Sequence, residues 1–177
     1  MLRARGAFVV DADELAREVV ALGTEGHRAV VAVFGPGILA ASGEIDRARL
    51  GRVVFADPTQ LERLEAVVHP LVDRAAAERF ATAPAGVPLI YEVPLVAETG
   101  SQQEFAAIIV VDAPAQVRVS RLVARGLAEP EALRRMAAQV DEHARLAMAD
   151  VVLDNRGGED ELERQVDELF PRLQALG

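Results

Sequence analysis

Two carboxylates, Asp11 and Asp13, close the apolar run Phe8-Val9-Val10. A short run of aromatic and β-branched residues reads as a buried strand, so the pair falls where that strand stops. In open parallel α/β sheets ligands bind just beyond the carboxyl ends of the strands, which places Asp11 and Asp13 to meet a substrate. The competing reading is that Asp13 only caps the following helix, whose apolar stripe is Leu15, Val19 and Leu22 before Gly23. A second group of chemical residues lies far along the chain. Arg118, Arg121 and Arg125 recur at i, i+3 and i+7 and lead through Gly126 into another arginine-bearing helix, Glu131 to Met148. A solvated face is the ordinary reason for such a stripe. In a chain that is acidic elsewhere, arginines on a hinged helical pair are also what a phosphoryl-transfer site uses to clamp and screen a phosphate. Arg134, Arg135 and Arg145 could join them.

The other candidates are weaker. His69 precedes a proline, where it could hydrogen-bond within a turn or line a pocket, and no metal site is expected. His27 and His143 are isolated and need no role. No Ser-His-Asp set, paired-carboxylate hydrolase pattern or metal-binding helix motif stands out.

Composition limits the rest. A net charge of −9 argues against a nucleic-acid surface, so an anionic ligand must be held locally by a few arginines or a helix N-terminus. Cysteine is absent, which excludes disulfides and thiolate chemistry and suits a reducing cytoplasm. No apolar run approaches bilayer length, and Met1 to Val10 lacks the apolar core of a signal peptide, so a soluble protein is expected.

The elements that must position these residues read as one α/β domain with a parallel sheet. Apolar runs at Val87–Val93, Ile108–Val111 and Val151–Leu153 alternate with helical stretches, the pattern of a sheet covered on both faces. Thr24 predicts a cap for a helix ending at Gly35, Asp46 for one through RARLGRVVFA, and Asp57-Pro58 for a third, with His69-Pro70 expected to break the chain before LVDRAAAERFA. This helical block, residues 24–83, exceeds what a crossover needs and is expected to be an insertion that covers a ligand. The opening MLRARG looks like the end of a helix, with arginines in the last turn and Gly at C′. The C-terminal helix with Leu162, Val166, Leu169 and Leu173 is expected to be plain packing.

Taken together, VVDADELAREVV, GTEG, FGPGIL, SGEIDRARLGRVVFAD, LEAVVHPLV, EVPLVAETG, IIVVDAPAQVRVSRL and RLAMADVVLDN resemble the dephospho-CoA kinase family, in order and over almost the whole chain. These are P-loop kinases that phosphorylate the ribose 3′-hydroxyl of dephospho-CoA with ATP and Mg, the last step of coenzyme A synthesis. The resemblance implies that Asp13 is the general base for the acceptor hydroxyl and that Asp11 supports the strand end. It places Arg17, His69 and the Val93-Pro94-Leu95 turn near the acceptor, Arg121 on the ATP phosphates, Arg125 in a lid hinge within residues 118–149, and Asn155 near adenine. Its small-molecule partner would be dephospho-CoA, with neither nucleic acid nor membrane involved.

One departure is large. The family opens with a strand, a G-x-x-x-x-G-K-[ST] loop and a helix ahead of the Asp-x-Asp strand, and nothing here matches them; the first seventy residues hold no lysine, and GTEG lacks the Lys and the hydroxyl. The expected fold is therefore a three-layer P-loop kinase-like parallel sheet lacking its first strand, spread over residues 1–177 as one incomplete domain. In the family order 2-3-1-4-5 the absent strand is central, so the strands around Leu89 and Ile109 would each expose a ladder edge, with self-association as one outcome. ATP turnover is not expected, because several phosphate-holding donors are missing at once. Three readings follow: a working kinase whose start was placed too late, with Met1 internal; a non-catalytic module that still binds CoA-like ligands or a partner; and a degenerate product without a stable fold. Acceptor-side and lid motifs that persist together favour the first. Leu22 where many members have Pro, a hinge at Arg125-Gly126 about one residue short, and Glu142 where some carry Arg are smaller differences.

Overall fold

Each described strand ends on a carboxylate. β1 (Phe8–Asp11) pairs in parallel with β2 (Leu89–Glu92), with Asp11 opposite Glu92. β3 (Ile109–Asp112) pairs in parallel with β4 (Val151–Asp154), with Asp112 opposite Asp154. These pairings come from a computed structural model, which describes residues 1–93, 101–137 and 142–176. The chain divides into two compact units, Ala7–Val93 and Met1–Gly6 with Pro94–Gly177, each holding one two-stranded sheet. Among the described residues β2 pairs only with β1 and β3 only with β4. Leu89 and Val111, each 53% exposed, sit on those two strands.

In the Ala7–Val93 unit, α1 (Ala12–Glu18) follows β1 directly, and α2 (Glu25–Phe34), α3 (Arg47–Ala56) and α4 (Pro58–Phe80) form the helical block. The expected caps are in place. Thr24 accepts from His27 N–H, Asp46 from Ala48 and Arg49, and Asp57 from Thr59 with Pro58 at N1. Val10, Leu15, Val72 and Ala76 form the buried core of this unit, with Phe8, Val68, Phe80 and Tyr91 packed on it. The ring of Phe80 meets Phe8 at 6.4 Å and Tyr91 edge-on at 5.8 Å.

Two expectations fail here. The helix expected to run to Leu22 stops at Glu18, and Leu22 is 55% exposed. The reason is the GTEG turn: the Thr24 hydroxyl lies 2.7 Å from the Val19 carbonyl and 2.8 Å from that of Ala21, so carbonyls just past the end of α1 meet the start of α2 instead of more helix. The expected break at His69-Pro70 is absent, and α4 runs unbroken with Pro70 inside it. Pro70 has no N–H for the carbonyl four residues back, a cost of about 3 kcal/mol in an isolated helix. Burial of Val68, Val72 and Ala76 on the same helix outweighs it.

Gly26 explains why that motif ends in glycine. A Cβ there would lie 2.3 Å from the Val19 carbonyl oxygen and 2.9 Å from Leu71 Cδ1, so α2 meets the end of α1 and the middle of α4 without room for a methyl group. Gly26→Ala is expected to destabilise the chain by about 1–3 kcal/mol, seen as a lower urea midpoint.

In the other unit, the opening arginines form a 3-10 turn (Leu2–Arg5) closed by Gly6 at φ 100°, the helix-end geometry read from MLRARG. The turn is tied to α8 (Glu159–Gln174), where Arg5 Nε meets Asp167 at 2.6 Å and its Nη2 donates to the Glu163 carbonyl. Val166, Leu169 and Leu173 of α8 are buried, which bears out its packing role. The remaining described helices are α5 (Ala115–Ala124), α6 (Glu129–Ala137) and α7 (Glu142–Ala147); the stretch read as a helix from Glu131 to Met148 is helical on both sides of 138–141, which lie outside the described residues.

The Arg5 guanidinium holds the Asp167 carboxyl below the usual carboxylate range and is itself raised by that partner. A carboxyl whose folded value is depressed stabilises at neutral pH and loses that contribution as the pH falls through the folded value. The turn is therefore expected to detach from α8 only below about pH 4, where an ordinary aspartate already titrates. Loss of the shifted Arg5 Nε–H resonance on acidification would report it, and Asp167→Asn should show the detached signal already at neutral pH.

Candidate active site

The structure separates the roles of Asp11 and Asp13. Asp11 is the N-cap of α1, its Oδ1 accepting from the backbone N–H of Asp13 at 2.8 Å and of Glu14 at 3.1 Å. Capping therefore belongs to Asp11, a correction to the reading that gave it to Asp13. Asp13 lies exposed in the first turn of α1, just beyond the carboxyl end of β1, and among the described residues no hydrogen bond or ion pair holds its carboxylate. A carboxylate so placed is open to a ligand. Arg17 is one turn further on the same helix and exposed. Arg79 of α4 pairs with Glu18 of α1 at 2.7 Å, and Arg74 of α4 with Glu25 of α2 at 2.9 Å, so α4 braces both helices.

His69 stands exposed in the middle of α4, not in a turn. His27, read as needing no role, is the buried polar residue of this unit: its Nε2 lies 2.9 Å from the Gly43 carbonyl, so that nitrogen carries the proton and ties α2 to the 39–45 loop. No local pattern marks it, since its partner is a backbone oxygen sixteen residues away. Pro94 and Leu95 lie outside the described residues, as does Arg135's side chain.

In the other unit, arginines gather at the carboxyl ends of β3 and β4. Arg121 of α5 donates from Nη1 to the Asn155 carbonyl at 2.8 Å and from Nη2 to the Gly157 carbonyl at 3.1 Å, so two residues expected near a nucleotide are directly joined. The Asn155 N–H in turn donates to the Asp112 carbonyl at 2.6 Å. Arg118 pairs with Glu142 at the start of α7 at 3.2 Å, and Arg145 of α7 with Asp112. Arg125 ends α5, exposed and without a side-chain partner among the described residues. Gln165 of α8 is a residue that sequence reasoning missed. Its amide accepts from the Asp154 N–H and donates to the Asp154 carbonyl, both at 2.8 Å, which pins the peptide from which the Asn155 loop departs. Asp154 also takes the Arg156 N–H and guanidinium, which keep its carboxyl below the ordinary range.

The family model described as dephospho-CoA kinase matches residues 1–161. The chain belongs to the dephospho-CoA kinase family. Among curated members it is similar to the dephospho-CoA kinases of Streptomyces avermitilis (46% identical over 174 residues, 98% of this chain and 85% of that protein) and Thermobifida fusca (44% over 174 residues, 98% and 87%). Its fold superposes on a crystal structure from Thermus thermophilus with a TM-score of 0.85 at 35% identity, covering 97% of this chain and 87% of that one. A dephospho-CoA kinase from Campylobacter jejuni, at 22% identity and a TM-score of 0.67, shares the fold. The α/β kinase-like architecture with parallel strands is thereby borne out. For this kinase-family chain, no helix among the described residues is long and apolar enough to cross a membrane.

Proposed function

We propose that the chain serves phosphoryl transfer from ATP to the ribose 3′-hydroxyl of dephospho-CoA, with Asp13 as the general base. The observation that carries this reading is the division of labour at the end of β1, where Asp11 takes the helix cap and leaves the neighbouring carboxylate free and exposed. Asp13 takes the hydroxyl proton as the ribose oxygen bonds to the γ-phosphorus and the bond to ADP breaks. Arg17, His69, Pro94 and Leu95 are assigned to the acceptor, Arg121 and Arg125 to the phosphates, and Asn155 to the base of the nucleotide. Residues 24–83 would cover the acceptor and 118–149 would act as the lid.

Arginines at the ends of β3 and β4 suit a polyphosphate. Mg, when bound with the nucleotide, would neutralise part of the charge of its phosphates. All nineteen basic residues are arginine, so the lysine and glycine-rich loop of the family are not among these 177 residues. Acceptor binding without ATP turnover is therefore expected of residues 1–177 by themselves. A cysteine-free chain fits the cytoplasm, and the edges of β2 and β3 that are unpaired among the described residues are where self-association would occur.

Calorimetry with dephospho-CoA and an assay for CoA formation test the proposal together. Measurable heat with no product is the expected pair of results. No heat at millimolar ligand removes the acceptor site, and CoA formation at an ordinary enzymatic rate removes the claim that the glycine-rich loop is required.

A further inference from the structure

None of the described residues of α7, Glu142–Ala147, is buried. Two ion pairs join them to neighbouring elements. Glu142 meets Arg118 of α5, and one turn later Arg145 meets Asp112, the last residue of β3. The second pair is the more covered, with side chains 19% (Asp112) and 21% (Arg145) exposed. It is also incompletely satisfied: Nη2 of Arg145 bonds to Asp112, while its Nε–H is buried and has no acceptor among the described residues.

We propose that Asp112 is the latch of α7, a positioning residue that seats this helix on the end of β3 through Arg145 and yields Arg145 to a phosphate group that enters there. A covered guanidinium with an unpaired N–H is poorly served by one carboxylate, because every donor taken from water without a partner costs free energy. A polyphosphate offers more charge and more acceptor oxygens in the fork geometry that arginine matches. The exchange therefore favours the phosphate, and α7 leaves Asp112 when Arg145 does. The yielding step rests on the phosphate reading under Proposed function; the seating of α7 does not.

Hydrogen exchange on the 177-residue chain tests the seating. Asp112→Ala is expected to speed exchange across 142–147 by about tenfold, Arg145→Ala to do the same, and the double variant to add nothing further. Strands 109–112 and 151–154 should keep their protection, which shows that the fold survives; if Asp112→Ala unfolds, Arg145→Ala alone decides. Unchanged exchange across 142–147 with protected strands overturns the latch, and so do two single effects that add independently. Calorimetry with inorganic tripolyphosphate tests the yielding step. Asp112→Ala should bind it about fivefold tighter than the parent chain, and the gain should vanish in the Arg145→Ala background. A gain that persists without Arg145 overturns the step. Failure of the parent chain to bind tripolyphosphate at all counts against the phosphate reading, while the exchange results still decide the latch.

Discussion

Asp13→Asn is expected to lower kcat for CoA formation by about 10²- to 10⁴-fold with little change in KM for dephospho-CoA, the signature of a lost general base. The measurement needs a polypeptide that turns over, which joining the family's opening strand, glycine-rich loop and helix ahead of Met1 should supply. The substitution is nearly isosteric and Asp13 is exposed without a partner among the described residues, so the fold has little reason to change. Asp11→Ala is the contrasting control. It removes the cap that Asp13 and Glu14 N–H depend on, at about 0.5–2 kcal/mol of stability, and should leave most of kcat. If Asp11→Ala were the dead variant and Asp13→Asn the active one, the assignment of base and cap would have to be exchanged.

Leu15→Ala is expected to cost about 2–5 kcal/mol of stability. Leu15 is 2% exposed and is the side chain through which α1 enters the core of Val10, Val72 and Ala76, so truncation leaves a cavity between α1, β1 and α4. The single tyrosine, Tyr91, packs on the same cluster and gives a fluorescence signal for urea unfolding of this unit. The midpoint should fall with an unchanged slope, and Leu15→Met, which conserves volume, should cost less than about 1.5 kcal/mol. A Leu15→Ala midpoint equal to the parent's would mean that α1 is not anchored by this residue. Since Leu15 lies two positions beyond Asp13, the same cavity should loosen the proposed base.

What could be read from the chain was mostly short-range. Thr24, Asp46 and Asp57-Pro58 each announce a helix start because the bond that makes a cap spans only two or three residues, and all three are where they were expected. Strand positions followed from apolar runs, and the pairing of β1 with β2 and of β3 with β4 from the resemblance to a known sheet order. Where the reading failed, a distant contact had decided the matter. Pro70 looks like a break in its own window, but α4 continues through it, held by a core that includes Val10 from the opening strand. Leu22 fits the stripe of α1, but the Thr24 hydroxyl and the close approach at Gly26 turn the chain first. Asp112, His27 and Gln165 carried no local sign of their roles, since their partners lie 33, 16 and 11 residues away.

By itself the amino-acid order determined the family, the α/β class, the placement of carboxylates at strand ends and the arginine-rich face after β3, because each of these is a matter of residue type at fixed spacing. Only the folded chain decided which of two adjacent carboxylates is occupied and which is free, and which arginine rests on which acceptor. Those outcomes turn on differences of a few ångströms between groups that the backbone brings together from separate elements, and a hydrogen bond exists or not within about that range.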